Sequence, residues 1–237
     1  MSTINIIENI REELKSQVDP KTKETRQRHF RESLRFYGVK NAPVQKIAKV
    51  YYRSMANYSK QEIFNLCDQL WQSGYLEESI IACNWSFSLH KQYEKPDFKR
   101  FETWVDLYVT NWAACDTLCN HTIGSFIAMY PEYLEELKKW TRSQNRWKRR
   151  AAAVSLIVPA RQGKFLEDII EIADLLLMDE DDLVQKGYGW MLKVASQVHR
   201  ERIFQYVMRK KDSMPRTALR YSIEKMPDEL RKKAMAK

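Results

Sequence analysis

Glycine and proline are scarce, with six and seven copies in 237 residues. So few turn formers disfavour a turn-rich all-β fold. Cysteine is scarcer still, and Cys67, Cys83, Cys115 and Cys119 form no metal signature. Cys115 and Cys119 stand four apart on one expected helix, but no CxxC or histidine pair completes a zinc site. Buried free thiols in a reducing compartment are the simpler reading. The four histidines, His29, His90, His121 and His199, are scattered, so no metal is expected. The chain has no glycine-rich phosphate loop and no GxSxG elbow. Its longest apolar runs fall well short of a membrane span. The first residues, "MSTINIIENIREELKSQ", interleave charges with apolar positions, unlike a signal peptide. These absences lead to the expectation of a soluble cytoplasmic protein without metal or cofactor.

What is present is helical spacing. "INIIENIREELKSQ" sets Ile4, Ile7, Ile10 and Leu14 at steps of three and four, and "FLEDIIEIADLLL" repeats the pattern from Phe165 to Leu176. Ser59 and Glu62 have capping-box spacing. Further starts are marked at Pro96-Asp97, Pro131-Glu132 and Ser213-Met214-Pro215. First helices of successive pairs are expected near Ser59, Pro96, Pro131, Lys164 and His199. Second helices are expected near Tyr75, Trp112, Asn145, Glu180 and Ser213. Both series repeat every 33 to 37 residues, the scale of helical-repeat proteins. A pair of this length cannot bury its apolar face alone, so neighbours must stack. The spacing thus predicts an all-α fold, a curved α-solenoid of antiparallel helix pairs. No flexible linker interrupts it, so a single domain over 1–237 is expected.

The formal net charge is +9, which favours nucleic acid or another anionic partner. Basic residues gather in three places. Lys138, Lys139, Arg142, Arg146, Lys148, Arg149 and Arg150 flank one helix junction. Arg209, Lys210, Lys211, Arg216 and Arg220 flank another, and Arg26, Arg28, Arg31 and Arg35 lie near the N-terminus. A solenoid that brings such junctions into register would offer a positive stripe to a phosphate backbone. Each cluster taken alone also reads as an ordinary solvated helix face. Arg150 stands apart because "AAAV" follows it. Small residues allow close helix approach, so its side chain is expected to run along a packed wall.

Trp112 and Asp116 share a helical face. Packing explains such a tryptophan, and a hydrogen bond to a neighbouring helix end explains such an aspartate. The alternative is an aromatic wall above a catalytic carboxylate. Trp190 sits in "QKGYGWMLKVAS" between helical glycines, each costing about 1 kcal/mol against alanine. Two such costs point to a close backbone approach at Gly187 and Gly189, by another helix or by a ligand.

Three segments, "TNWAACDTLC", "NRWKRRAAAV" and "GYGWMLKVAS", together with the weaker "RFYGVKNAPVQKIAK", resemble the AlkD-type DNA glycosylases, bacterial DNA alkylation repair proteins built from HEAT-like repeats. The likeness runs over nearly the whole chain. It implies that Asp116 is the catalytic carboxylate, that Trp112 and Trp190 wall the cleft, and that Arg150 contacts the DNA backbone near the lesion. Arg149, Lys148 and Arg146 join Arg150 on the expected DNA side. His29 falls where a family member carries a tyrosine. The implied activity is hydrolysis of the N-glycosidic bond of cationic N3- or N7-alkylated purines in double-stranded DNA. The implied form is a monomer without metal or cofactor, needing no base-binding pocket. The alternatives are a non-catalytic relative that binds damaged or branched DNA, and a protein-interaction scaffold.

Overall fold

The computed structural model describes residues 3–30 and 34–236. It is all-α. Among the described residues the β-type pairing is an isolated parallel bridge between Arg35 and Tyr75. The chain divides into two compact units, Met1–Leu118 and Cys119–Lys237.

The first unit holds α1 (Thr3–Ser16), α2 (Pro20–His29), α3 (Asn41–Ser54), α4 (Lys60–Gln72), α5 (Leu76–Ser88), α6 (Asp97–Leu107) and α7 (Trp112–Thr117). α5 lies at its centre, packed against α3, α4 and α7. The apolar stripe of α1 is used as its spacing predicts: Ile7, Ile10 and Leu14 are buried. α4 begins with the expected capping box. The Ser59 amide donates to the Glu62 carboxylate at 2.8 Å, and the Glu62 amide donates to Ser59 Oγ at 3.3 Å. α6 buries Phe98, Phe101, Trp104 and Val105 along one face. The Phe64 ring meets Phe101 and Trp104 edge-on, the geometry that aromatic quadrupoles favour. Trp104 Nε1 donates to Asp68 at 2.6 Å, so the buried ring keeps its polar edge paired.

Glu77 and Glu78 on α5 are both fully buried. Arg26 of α2 meets Glu77 at 2.6 Å. The amides of Tyr37, Gly38 and Val39 donate to the same carboxylate at 3.0, 3.0 and 3.1 Å. Such successive amides form a small anion-binding concavity, here filled from within. Glu78 takes Arg11 of α1 at 3.2 Å and the Tyr37 hydroxyl at 2.7 Å. Burial and this bond to a carboxylate push the Tyr37 hydroxyl pKa up. Gly38 has φ +96°, and a Cβ there would stand 2.7 Å from Lys23 Cβ. Glycine is therefore needed both for the turn and for the close approach of α2.

The second unit holds α8 (Gly124–Met129), α9 (Leu134–Trp140), α10 (Arg146–Val154), α11 (Ile157–Arg161), α12 (Leu166–Leu175), α13 (Asp182–Ala195), α14 (Arg200–Lys210), α15 (Arg216–Ile223) and α16 (Asp228–Met235). The pairs α9/α10, α12/α13 and α14/α15 follow one another as the repeat predicts. α10, α13 and α15 pack side by side in one layer, with α9 and α12 behind. The helix starts fall within about three residues of expectation. Pro131 opens a single 3₁₀ turn before α9. α12 starts at Leu166 because Gly163 and Phe165 both have positive φ, which ends the preceding turn. α13 starts at Asp182, where Asp181 caps the Leu183 amide at 2.9 Å. The four cysteines are free and buried, as expected. No described helix is long and apolar enough to cross a membrane.

Candidate nucleic-acid site

The sequence-predicted residues fall in both units. In the first, Asn111 caps α7 by accepting from the Ala114 amide at 2.9 Å. This cap fixes Trp112 in the first turn and Asp116 one turn later. Ala114 and Cys115 point into the core, which leaves Trp112 and Asp116 half-buried on the other side. The Trp112 ring stacks on Phe30 with centroids 5.4 Å apart and planes 18° apart. A π-helical stretch, Leu118–Ile123, follows α7 at once. Such turns recur at functional sites because they re-aim neighbouring side chains.

Phe30 is the residue that sequence reasoning missed. His29 closes α2, and its side chain lies outside the described residues. Phe30 follows it as the C-cap, extended at φ −101° and ψ 129°, and supplies the ring against Trp112. The available signal was an aromatic residue at the end of a polar helix that otherwise has no apolar stripe.

In the second unit, Asn145 caps α10 by accepting from the Trp147 amide at 2.9 Å. Arg150 runs along a packed wall, as the small residues after it predict. It is only 5% exposed. Its Nη1 donates to the Leu183 carbonyl of α13. A Cβ at Gly187 would stand 3.3 Å from Arg150 Cγ, so this glycine makes room for the arginine stem. Trp190, half-buried, is three residues further along α13. Gly189 answers a different need. A Cβ there would come within 2.7 Å of Tyr221 Cβ and 2.9 Å of the Ala218 carbonyl oxygen, both on α15. The close approach expected for this pair of glycines is therefore by helices α10 and α15.

The basic cluster around α10 is largely engaged within the protein. Arg149 grips Asp179 through Nε at 2.6 Å and Nη2 at 3.3 Å, and its Nη1 donates to the Ser143 carbonyl at 2.9 Å. Arg146 pairs with Asp181 at 3.3 Å and lies over the Trp147 ring. The Lys148 ammonium sits 5.5 Å from the Trp140 ring centroid. Lys138 meets Glu135, Asp168 and Glu171 at 2.7–3.0 Å, and these carboxylates push its pKa up. Lys139 pairs with Glu136, and Lys210 with Asp174. Near the N-terminus Arg26 serves Glu77 and Arg28 pairs with Glu24. Arg31 lies outside the described residues. Arg142, Arg216 and Arg220 are exposed. No group of three or more potential metal ligands occurs among the described residues.

These features define a class: an all-α repeat protein with a half-buried carboxylate one helical turn from a stacked aromatic pair. A family model described as "DNA alkylation repair enzyme" matches residues 10–226. The chain belongs to this DNA alkylation repair family, the AlkD-like proteins of HEAT-like fold. Among solved structures it is similar to a predicted DNA alkylation repair enzyme from Enterococcus faecalis. The TM-score is 0.79 at 16% identity, over 90% of this chain and 98% of that one. No curated protein matches the sequence. The family's function is DNA alkylation repair, and DNA is its partner.

Proposed function

We propose that the protein is a DNA glycosylase that hydrolyses the N-glycosidic bond of cationic N3- or N7-alkylated purines in duplex DNA, acting as a monomer. The observation that carries this reading is Asp116, held half-buried one turn from a Trp112 ring that is itself stacked on Phe30. A purine alkylated on N3 or N7 already carries positive charge and leaves without protonation, so no general acid is needed. What remains is an oxocarbenium-like sugar and an attacking water. Asp116 stabilises the first and orients the second. A charge pair at about 4 Å and an effective dielectric near 20 amounts to roughly 4 kcal/mol. Realised only in the transition state, it accelerates the step about a thousandfold. Trp112 and Trp190 pack against the sugar, and their ring faces favour nearby positive charge. Arg150, Arg149, Lys148, Arg146 and His29 belong to the DNA side in this reading. Arg150 contacts the DNA backbone near the lesion in this reading, and Arg149, tied to Asp179, holds the wall beside it.

The test is incubation with methylated duplex DNA and chromatography of the released bases. Wild type is expected to release 7-methylguanine. Asp116→Asn is expected to bind the same DNA and to lose about a thousandfold in rate. Unchanged release by that variant removes Asp116 from the mechanism. Tight binding of damaged DNA by wild type without any release favours the non-catalytic reading.

A further inference from the structure

A hollow of about 310 Å³ opens in the first unit between α2 and the segment that leads to the Arg35–Tyr75 bridge. Its lining includes Lys23 and Gln27 of α2, then Phe30, Arg35, Phe36 and Tyr75. Of this lining the glycosylase reading uses Phe30 alone, as the ring against Trp112. Its volume lies at the lower end of small-molecule sites, roughly 300–1,000 Å³, enough for one planar heterocycle and its substituent but not for a duplex.

The charges here differ from those of the other basic clusters. Arg26 and Arg28 are taken up by Glu77 and Glu24, and Lys40 by Asp19 at 2.6 Å. Lys23 and Arg35, both exposed, pair with no carboxylate among the described residues. Arg35 instead lies over the Tyr75 ring, 4.9 Å from its centroid, and Tyr37 stacks on that same ring at 4.3 Å. The Tyr75 ring is thus engaged, while Phe36 and the side of Phe30 away from Trp112 remain to receive a planar ligand. Both walls are held by one buried group. Glu77 grips α2 through Arg26 and the opposite segment through the amides of Tyr37, Gly38 and Val39.

From this geometry we infer that the hollow is a binding site for a single 5′-phosphorylated nucleotide unit. The base stacks on Phe30 and Phe36, Gln27 supplies a donor and an acceptor to its edge, and Lys23 and Arg35 take the phosphate. Aromatic platforms beside unpaired cations are the recurring means of holding unpaired nucleotides. A simple anion has no need of the rings, and an uncharged heterocycle has no need of the cations. The unit comes from one of two sources, a free mononucleotide or an unpaired nucleotide within a strand.

The experiment is calorimetric titration of the full chain with deoxyadenosine 5′-monophosphate and with a single-stranded tetranucleotide. Deoxyadenosine and inorganic phosphate serve as controls. Saturable binding is expected for at least one phosphorylated probe, at least tenfold tighter than for either control. Lys23→Ala/Arg35→Ala, which changes two exposed side chains, is expected to weaken it at least tenfold. Binding of the tetranucleotide alone assigns the hollow to a strand, and binding of both probes admits free nucleotides as well. No saturable binding of either probe, or binding undiminished in the double variant, overturns the inference. Because no excision is measured, the hollow stands or falls independently of the glycosylase reading.

Discussion

Glu77 and Glu78 are neighbours on α5 and both are fully buried, yet they hold different parts of the chain. Glu77 binds α2 and the 37–39 amides, while Glu78 binds α1 and the Tyr37 hydroxyl. Glu77→Ala strands Arg26 and three amides in a site with little water. A loss of roughly 3–5 kcal/mol is expected, the usual result of removing one partner from a buried ion pair. Urea unfolding of the variant against wild type measures it. Neither carboxylate could be picked out from the sequence. "YLEESI" reads as an ordinary helix start with acidic residues near the positive end of the dipole. Their partners are 38 to 67 residues away, and no local spacing reports a contact at that range. Trp112 and Asp116 were legible for the opposite reason, because a four-residue step on a capped helix fixes a shared face by itself. Phe30 belongs to no apolar period, so the sequence marks it only as an aromatic residue at the end of a polar helix.

At the scale of elements, the helix starts were readable because caps are local. Ser59, Asn111 and Asn145 each accept from an amide two or three residues on. The paired glycines of α13 signalled crowding without saying what crowds them. The structure separates them. Gly187 faces the flexible stem of Arg150, whereas Gly189 faces the backbone of α15. Gly187→Ala is therefore expected to be near neutral, the gain in helix propensity offsetting a small shift of Arg150. Gly189→Ala is expected to destabilise by about 1–3 kcal/mol, because α15 must move as a body. The two midpoints of urea unfolding, compared at equal slope, check the difference.

For the whole molecule the formal charge of +9 describes its field at a distance but not how many side chains reach for phosphates. Sequence clustering suggested three such groups. Seven of their members, Arg26, Arg28, Lys138, Lys139, Arg146, Arg149 and Lys210, prove to be committed to carboxylates, several of them one repeat further on, as Arg149 is to Asp179 thirty residues away. Clustering shows like charges gathered along the chain and is blind to opposite charges supplied by the next helix pair. Fewer phosphate contacts mean fewer counterions released. The slope of log affinity against log salt for undamaged duplex DNA is expected to be shallower than about −7, where all three clusters acting together would give about −14. Fluorescence anisotropy across a salt series measures it.

The three amides that converge on Glu77 belong to a stretch without helix or strand. Irregular segments of this kind ordinarily surrender their amide protons to solvent quickly, because nothing holds them closed. Here the Gly38 and Val39 protons point at a fully buried carboxylate that is bound to a second element as well. Their release requires α2 and α5 to separate. In deuterium oxide, residues 37–39 are expected to exchange as slowly as the middle of α5. In solution the stretch thus keeps time with the helices around it.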